Sequence, residues 1–112
     1  MKRYSLTLDL RNDPELIRQY EELHKEVWPE IISSIKDAGI ANMQIYRYGA
    51  RLFMIMDVND DFSFEKKHQA DAGNAIVQEW EELMWKYQQP LEGTAKGEKW
   101  MLMDKIFELK EI

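Results

Sequence analysis

The stretch NMQIYRYGARLFMIMDVND, residues 42–60, decides the fold. Asn42 to Tyr48 and Leu52 to Val58 are rich in β-branched, aromatic and long apolar residues, and only Gly49-Ala50 with Arg51 separates them. Two strands joined by a tight turn are predicted, that is, a hairpin. Upstream, Leu16, Tyr20, Leu23 and Val27 form a helical stripe that Ile31, Ile32 and Ile35 resume after Pro29. A proline lacks the amide hydrogen a helix needs, so the helix is expected to kink or divide near Trp28. Asp13 is the expected N-cap, Pro14 the first helical residue, and Gly39 the stop.

Further out, Arg3 to Leu10 alternates cleanly, with Tyr4, Leu6, Leu8 and Leu10 on one side, as a half-buried strand does. Downstream, DFSFEKKHQADAG (61–73) reads as a loop with a short helix, and NAIVQEWEELMWKYQQP (74–90) as a clear helix capped by Asn74 and stopped by Pro90. A glycine-bearing loop leads to KWMLMDKIFEL (99–109), expected to be the last strand. The order β, α, β, β, α, β is that of an α+β, ferredoxin-like βαββαβ sandwich with helices on one face of an antiparallel sheet. The last strand is apolar on both sides, with Met101, Met103, Phe107 and Leu109 facing one way and Trp100, Leu102 and Ile106 the other. A homodimer hiding the open sheet face is the expectation.

With 112 residues the chain is expected to form one domain, residues 1–112. Its 45% apolar and 32% charged residues are an ordinary globular balance. Net charge is -6 and basic residues nowhere cluster, which argues against nucleic acid as a partner. Without cysteine there are no disulfides and no thiolate chemistry. Neither a signal-peptide core nor a membrane-length apolar run occurs, so a soluble, cytoplasmic protein is expected.

The residues with chemical potential are few. His24 lies four residues after Tyr20, on the same helical face, with Trp28 a further turn along. An imidazole titrating near ~6.5 both gives and takes protons at neutral pH. The same residue is open to two blander readings, a boundary side chain and a core histidine held by one hydrogen bond. On the late helix Trp80, Met84 and Tyr87 share one stripe while Glu81, Trp85 and Gln88 share the next, so both indoles cannot point straight into the core. One is expected to face a cavity or a partner. Metal binding lacks a ligand pattern, since His24 and His68 are far apart and without a close-spaced mate. No phosphate-binding glycine loop or serine-hydrolase elbow occurs.

Taken together, Tyr20-x-x-x-His24-x-x-x-Trp28-Pro29-Glu30, the segment GIANMQIY (39–46), the hairpin and the Gln78-x-Trp80 helix resemble the L-rhamnose mutarotase family across nearly the whole chain. The resemblance implies a ferredoxin-like dimer, the dimeric α+β barrel, whose subunits exchange strand contacts. It implies an enzyme that interconverts the α and β anomers of a deoxyhexose without a cofactor. It implies His24 as the proton donor, Tyr20 as a sugar contact and Trp80 as part of the ring-binding wall, with Trp85 a further candidate for substrate binding. Two departures stand out: Glu81 follows Trp80 where a second tryptophan is often found, and Met43 follows Asn42 where a tyrosine is often found. L-rhamnose is the expected sugar; a methionine there softens the pocket and removes a hydroxyl, which leaves L-fucose as the alternative. Two rival readings share the fold: a dimeric α+β barrel monooxygenase or haem-binding relative, and a non-catalytic module that binds a small metabolite.

Overall fold

The computed structural model describes residues 1–110. Nine elements follow in chain order: β1 (Lys2–Leu10), α1 (Pro14–Leu23), α2 (Pro29–Asp37), β2 (Ile40–Tyr48), β3 (Arg51–Val58), α3 (Phe64–Ala72), α4 (Ala75–Trp85), β4 (Gln88–Gln89) and β5 (Met101–Leu102). The sheet runs β2-β3-β1-β4, with β5 also paired to β1, and every pairing is antiparallel. This is the ferredoxin-like arrangement expected from the sequence.

The hairpin forms as its composition dictates. Tyr48 pairs with Arg51 across the turn, and Gly49 takes φ +58, a left-handed conformation that a side chain disfavours. In β1 and β3, Leu6 faces Met54 and Leu8 faces Leu52, so the alternating apolar residues of both strands lie under the helices. Leu8, Leu52 and Val58 are fully buried, each such side chain contributing about 1.5–3 kcal/mol. At the start of β2 the register slips: Ile40 pairs with Val58, but Asn42 pairs with Asp57. A bulge of this kind inserts one residue, so the same face recurs after three positions in place of two. Ile40 and Met43 therefore both point to the helix side.

Helix boundaries follow from their caps. Asp13 accepts from the amides of Glu15 and Leu16, and Asn74 from those of Ile76 and Val77. The first helical stripe is divided, as Pro29 requires. Trp28, the residue before it, is held extended at φ -54 and ψ 135, which no helix can pass through. α1 ends at Leu23, His24 is its C-cap, and Trp28 opens α2. Trp28 is thus not one turn along the same helix from His24; the break in the chain, in place of helical spacing, sets its position.

The final strand differs from the expectation. Only Met101–Leu102 is strand, pairing with Thr7 and Leu6, and the amide of Met103 donates to the Ser5 carbonyl. Antiparallel pairing in this register carries the chain toward the beginning of β1, and β1 starts at Lys2. Residues beyond about 106 have no strand of their own sheet left to pair with. After that last bond to β1 the chain from 104 to 110 is not strand, and it leaves Ile106, Phe107 and Leu109 exposed at 94%, 76% and 86%. The far sheet face carries the half-buried Phe53 and Ile55 with the exposed Tyr46 and Tyr48, and among the described residues no helix lies over it.

Candidate active site

Between the helices and the sheet lies a cleft of about 740 Å³, within the ~300–1,000 Å³ span of small-molecule sites. Tyr20, His24, Trp80, Glu81 and Gln88 lie along one part of its wall, and Met43, Met54 and Met56 along another. The two parts belong to two core clusters, one around Tyr20 and Trp80 and one around the methionines, with Trp100 packed against both. The cleft therefore has an aromatic end at His24 and an end built on methionines, and its wall also carries Lys36, Asn42, Lys67 and Asp71.

The aromatic end is built by the end of α1. A helix leaves its last carbonyls without amide partners. Here the Tyr20 carbonyl lies 2.8 Å from His24 Nδ1. A carbonyl only accepts, so Nδ1 carries the hydrogen and, in the neutral ring, Nε2 keeps its lone pair. Burial pushes the imidazole below its usual value of 6.5, the backbone hydrogen bond opposing only in part. The ring is neutral at pH 7. Its neighbours are aromatic: the Tyr20 ring at 4.2 Å and the Trp80 ring, edge to face, at 5.7 Å between centroids.

The Tyr20 phenol is pushed up to about 12, chiefly by burial, with the hydrogen bond from Gln88 opposing and the Glu81 charge adding a smaller rise. It remains a neutral donor throughout the physiological range. Gln88 Nε2 donates to the phenol oxygen at 3.4 Å, leaving the phenol hydrogen unspent. Trp80 is 6% exposed and rests edge to face on Trp28 at 5.0 Å. Trp28 backs that wall without lining the cleft. A second hollow of about 420 Å³ shares Tyr20 and His24 and is flanked by Arg47, which is ion-paired with Glu21.

Of the residues singled out from sequence, His24, Tyr20 and Trp80 come together at the cleft; Trp85 does not. Its ring lies 4.5 Å beneath the Lys99 ammonium, which also binds the Glu81 carboxylate at 2.8 Å and the Glu81 carbonyl at 3.0 Å. Trp85 is absent from the cleft lining because it serves this latch between α4 and the following loop. Gln88 and Trp100 line the cleft and were not picked out from sequence. Gln88 shares a helical stripe with Trp85 in a simple projection, but the chain leaves the helix at Lys86 and turns Gln88 inward beside Leu10. Among the described residues no cluster of His, Cys, Asp and Glu has metal-site geometry, and no helix is long and apolar enough to cross a membrane.

Comparison with known proteins fits this geometry. The family model described as L-rhamnose mutarotase matches residues 3–109. The chain belongs to the L-rhamnose mutarotase family. It is a sugar mutarotase, a carbohydrate isomerase. Among family relatives, L-fucose mutarotase of Xanthomonas campestris pv. campestris is 47% identical over 99% of this chain and 90% of its own length. L-rhamnose mutarotase of Oceanobacillus iheyensis is 30% identical over 70% of this chain and 69% of its own. The crystal structure of L-rhamnose mutarotase from Formosa agariphila superposes with a TM-score of 0.72 at 21% identity, covering 98% of this chain and all of the other. Membership in the rhamnose mutarotase family favours anomer exchange over the monooxygenase and non-catalytic readings of the same fold.

Proposed function

We propose that the protein exchanges the anomers of L-fucose, with His24 as the group that carries the proton. One observation supports this most: a neutral imidazole in a small-molecule cleft, its Nδ1 hydrogen tied to a backbone carbonyl. Ring opening breaks the O1–H and C1–O5 bonds and makes C1=O1 and O5–H. Nε2 takes the proton from the anomeric hydroxyl as the C1–O5 bond breaks, and the imidazolium returns it to the ring oxygen. Rotation about C1–C2 then offers the other carbonyl face to the ring hydroxyl, and the same steps in reverse close the other anomer. Charge develops on the ring oxygen, and the Tyr20 hydroxyl is the donor available to stabilise it. Trp80 is the wall for the C–H face of the ring, and the methionine end takes the methyl group. The Xanthomonas relative, named for L-fucose and similar over nearly its whole length, supports this sugar over L-rhamnose. Saturation-transfer NMR on both sugars tests the choice: L-fucose exchanges faster at equal enzyme, and a preference for L-rhamnose contradicts it.

The same reading fixes a pH dependence. The imidazole acts first as a base, so exchange is flat above its pKa and falls as acid protonates it. Burial lowers that pKa, so the inflection of kcat/KM falls below 6.5. An unfolded chain binds that proton more readily, so this group's contribution to stability is complete above about 6.5 and is lost as pH falls through the lower, folded value. An inflection above 6.5 contradicts the assignment.

The reading extends to a homodimer. Ile106, Phe107 and Leu109 on segment 103–110 and the apolar patch of Phe53, Ile55 and Tyr46 on the sheet are surfaces a lone subunit leaves in water. A second copy offers both a strand edge for the segment and an identical sheet face, so one two-fold contact covers both. Light scattering is expected to give twice the chain mass, and Ile106→Asp with Phe107→Asp to give the single mass. A wild-type monomer at micromolar concentration contradicts it.

A further inference from the structure

We propose that Gln88 reads a hydroxyl of the sugar and so sets which deoxyhexose the site accepts, an inference that rests on the cleft being a sugar site. Gln88 is 3% exposed, and its Oε1 has no hydrogen-bond partner. Buried acceptors are almost always satisfied, because stripping water from an amide oxygen without replacing the bond is costly. The residue that carries it is part of the cleft wall. Its own Nε2 is committed to the Tyr20 phenol at 3.4 Å, which fixes the amide plane and leaves Oε1 as the spare end.

The chain goes out of its way to hold an amide here. Gln88 pairs with Leu10 on β4, at a position whose neighbours Leu10 and Tyr87 are core residues. A leucine or methionine would fill such a position with no polar atom to satisfy. Oε1 is an acceptor only, so its complement is an O–H or N–H donor on the ligand. Within the proposed reaction the donors are the non-anomeric hydroxyls of the sugar. Glu81, also on the cleft, is another acceptor, its carboxylate held by Lys99 at 2.8 Å. This wall therefore selects by hydroxyl position, whereas Trp80 and the methionines offer shape alone. Sites that hydrogen-bond a substrate hydroxyl discriminate strongly against analogues lacking it, since the buried partner is then left unpaired.

The experiment measures anomer exchange of L-fucose and of its monodeoxy analogues, each lacking one non-anomeric hydroxyl, with the wild type and with Gln88→Met. With the wild type, one analogue is expected to show KM raised about 10- to 100-fold. Gln88→Met is expected to raise KM for L-fucose by a similar factor and to leave kcat within about threefold. For that same analogue it adds no further loss. Unchanged KM in Gln88→Met, or wild-type KM values indifferent to every missing hydroxyl, overturns the inference while leaving the mutarotase reading intact. Should Gln88→Met fail to fold, the analogue series on the wild type decides alone. A wild type that accelerates exchange of neither L-fucose nor L-rhamnose removes the functional reading and this inference with it.

Discussion

His24→Gln is expected to slow enzymatic anomer exchange by about 10² to 10⁴, the usual worth of a positioned acid-base group. Glutamine has similar bulk and can meet the Tyr20 carbonyl with its amide, but it cannot hold a proton and pass it on. The loss should appear in kcat, with KM for L-fucose little changed, because the imidazole acts on the atoms that change bonding and not on the rest of the ring. Stability should change by less than about 1 kcal/mol, since the ring is only half buried and makes one side-chain hydrogen bond. A variant that exchanges L-fucose as fast as the wild type would show that the proton travels by another group, and Tyr20 would be the next to test.

Trp80→Ala is the second large effect, and it falls on stability first. The indole is nearly sealed, packs on Trp28 and His24, and belongs to the cluster that joins α1, α2 and α4 to the sheet. Removing it opens a cavity beside the existing cleft and costs about 3–5 kcal/mol, which for a domain of this size lowers Tm by roughly 10–20 °C. Trp80→Phe keeps an aromatic face and most of the packing. If Trp80 is the ring wall, Trp80→Phe recovers much of the lost Tm yet still binds L-fucose more weakly than the wild type, because a smaller face covers fewer C–H groups. A change in Tm of under about 2 °C in Trp80→Ala contradicts the packing shown by the structure.

Where local chemistry determines structure, the sequence was readable. Asp13 with Pro14, Asn74, the Gly49 turn and the alternation of β1 each act within a few residues, and each forms as expected. Pro29 announced a break, though not that Trp28 would be carried by it onto Trp80. Tyr20 and His24 were legible as a pair because they share the end of one helix. What escaped depends on distant partners. Trp80 and Trp85 look equivalent along α4, and only Lys99, reaching back from the loop, withdraws Trp85 from the cleft. The burial of Gln88 depends on β1 lying alongside it. The last strand stops at Leu102, and beyond about residue 106 β1 has no residue left to pair with, a matter of register that apolar patterning does not carry.

The account rests on a neutral imidazole presenting a free nitrogen to the sugar, and nitrogen-15 NMR of histidine-labelled protein measures that state directly. At pH 7 the His24 ring is expected to show a protonated Nδ1 and a bare Nε2, with the Nε2 resonance moving when L-fucose saturates the cleft. A ring protonated at Nε2 alone, an imidazolium at that pH, or an Nε2 signal indifferent to the sugar would contradict it.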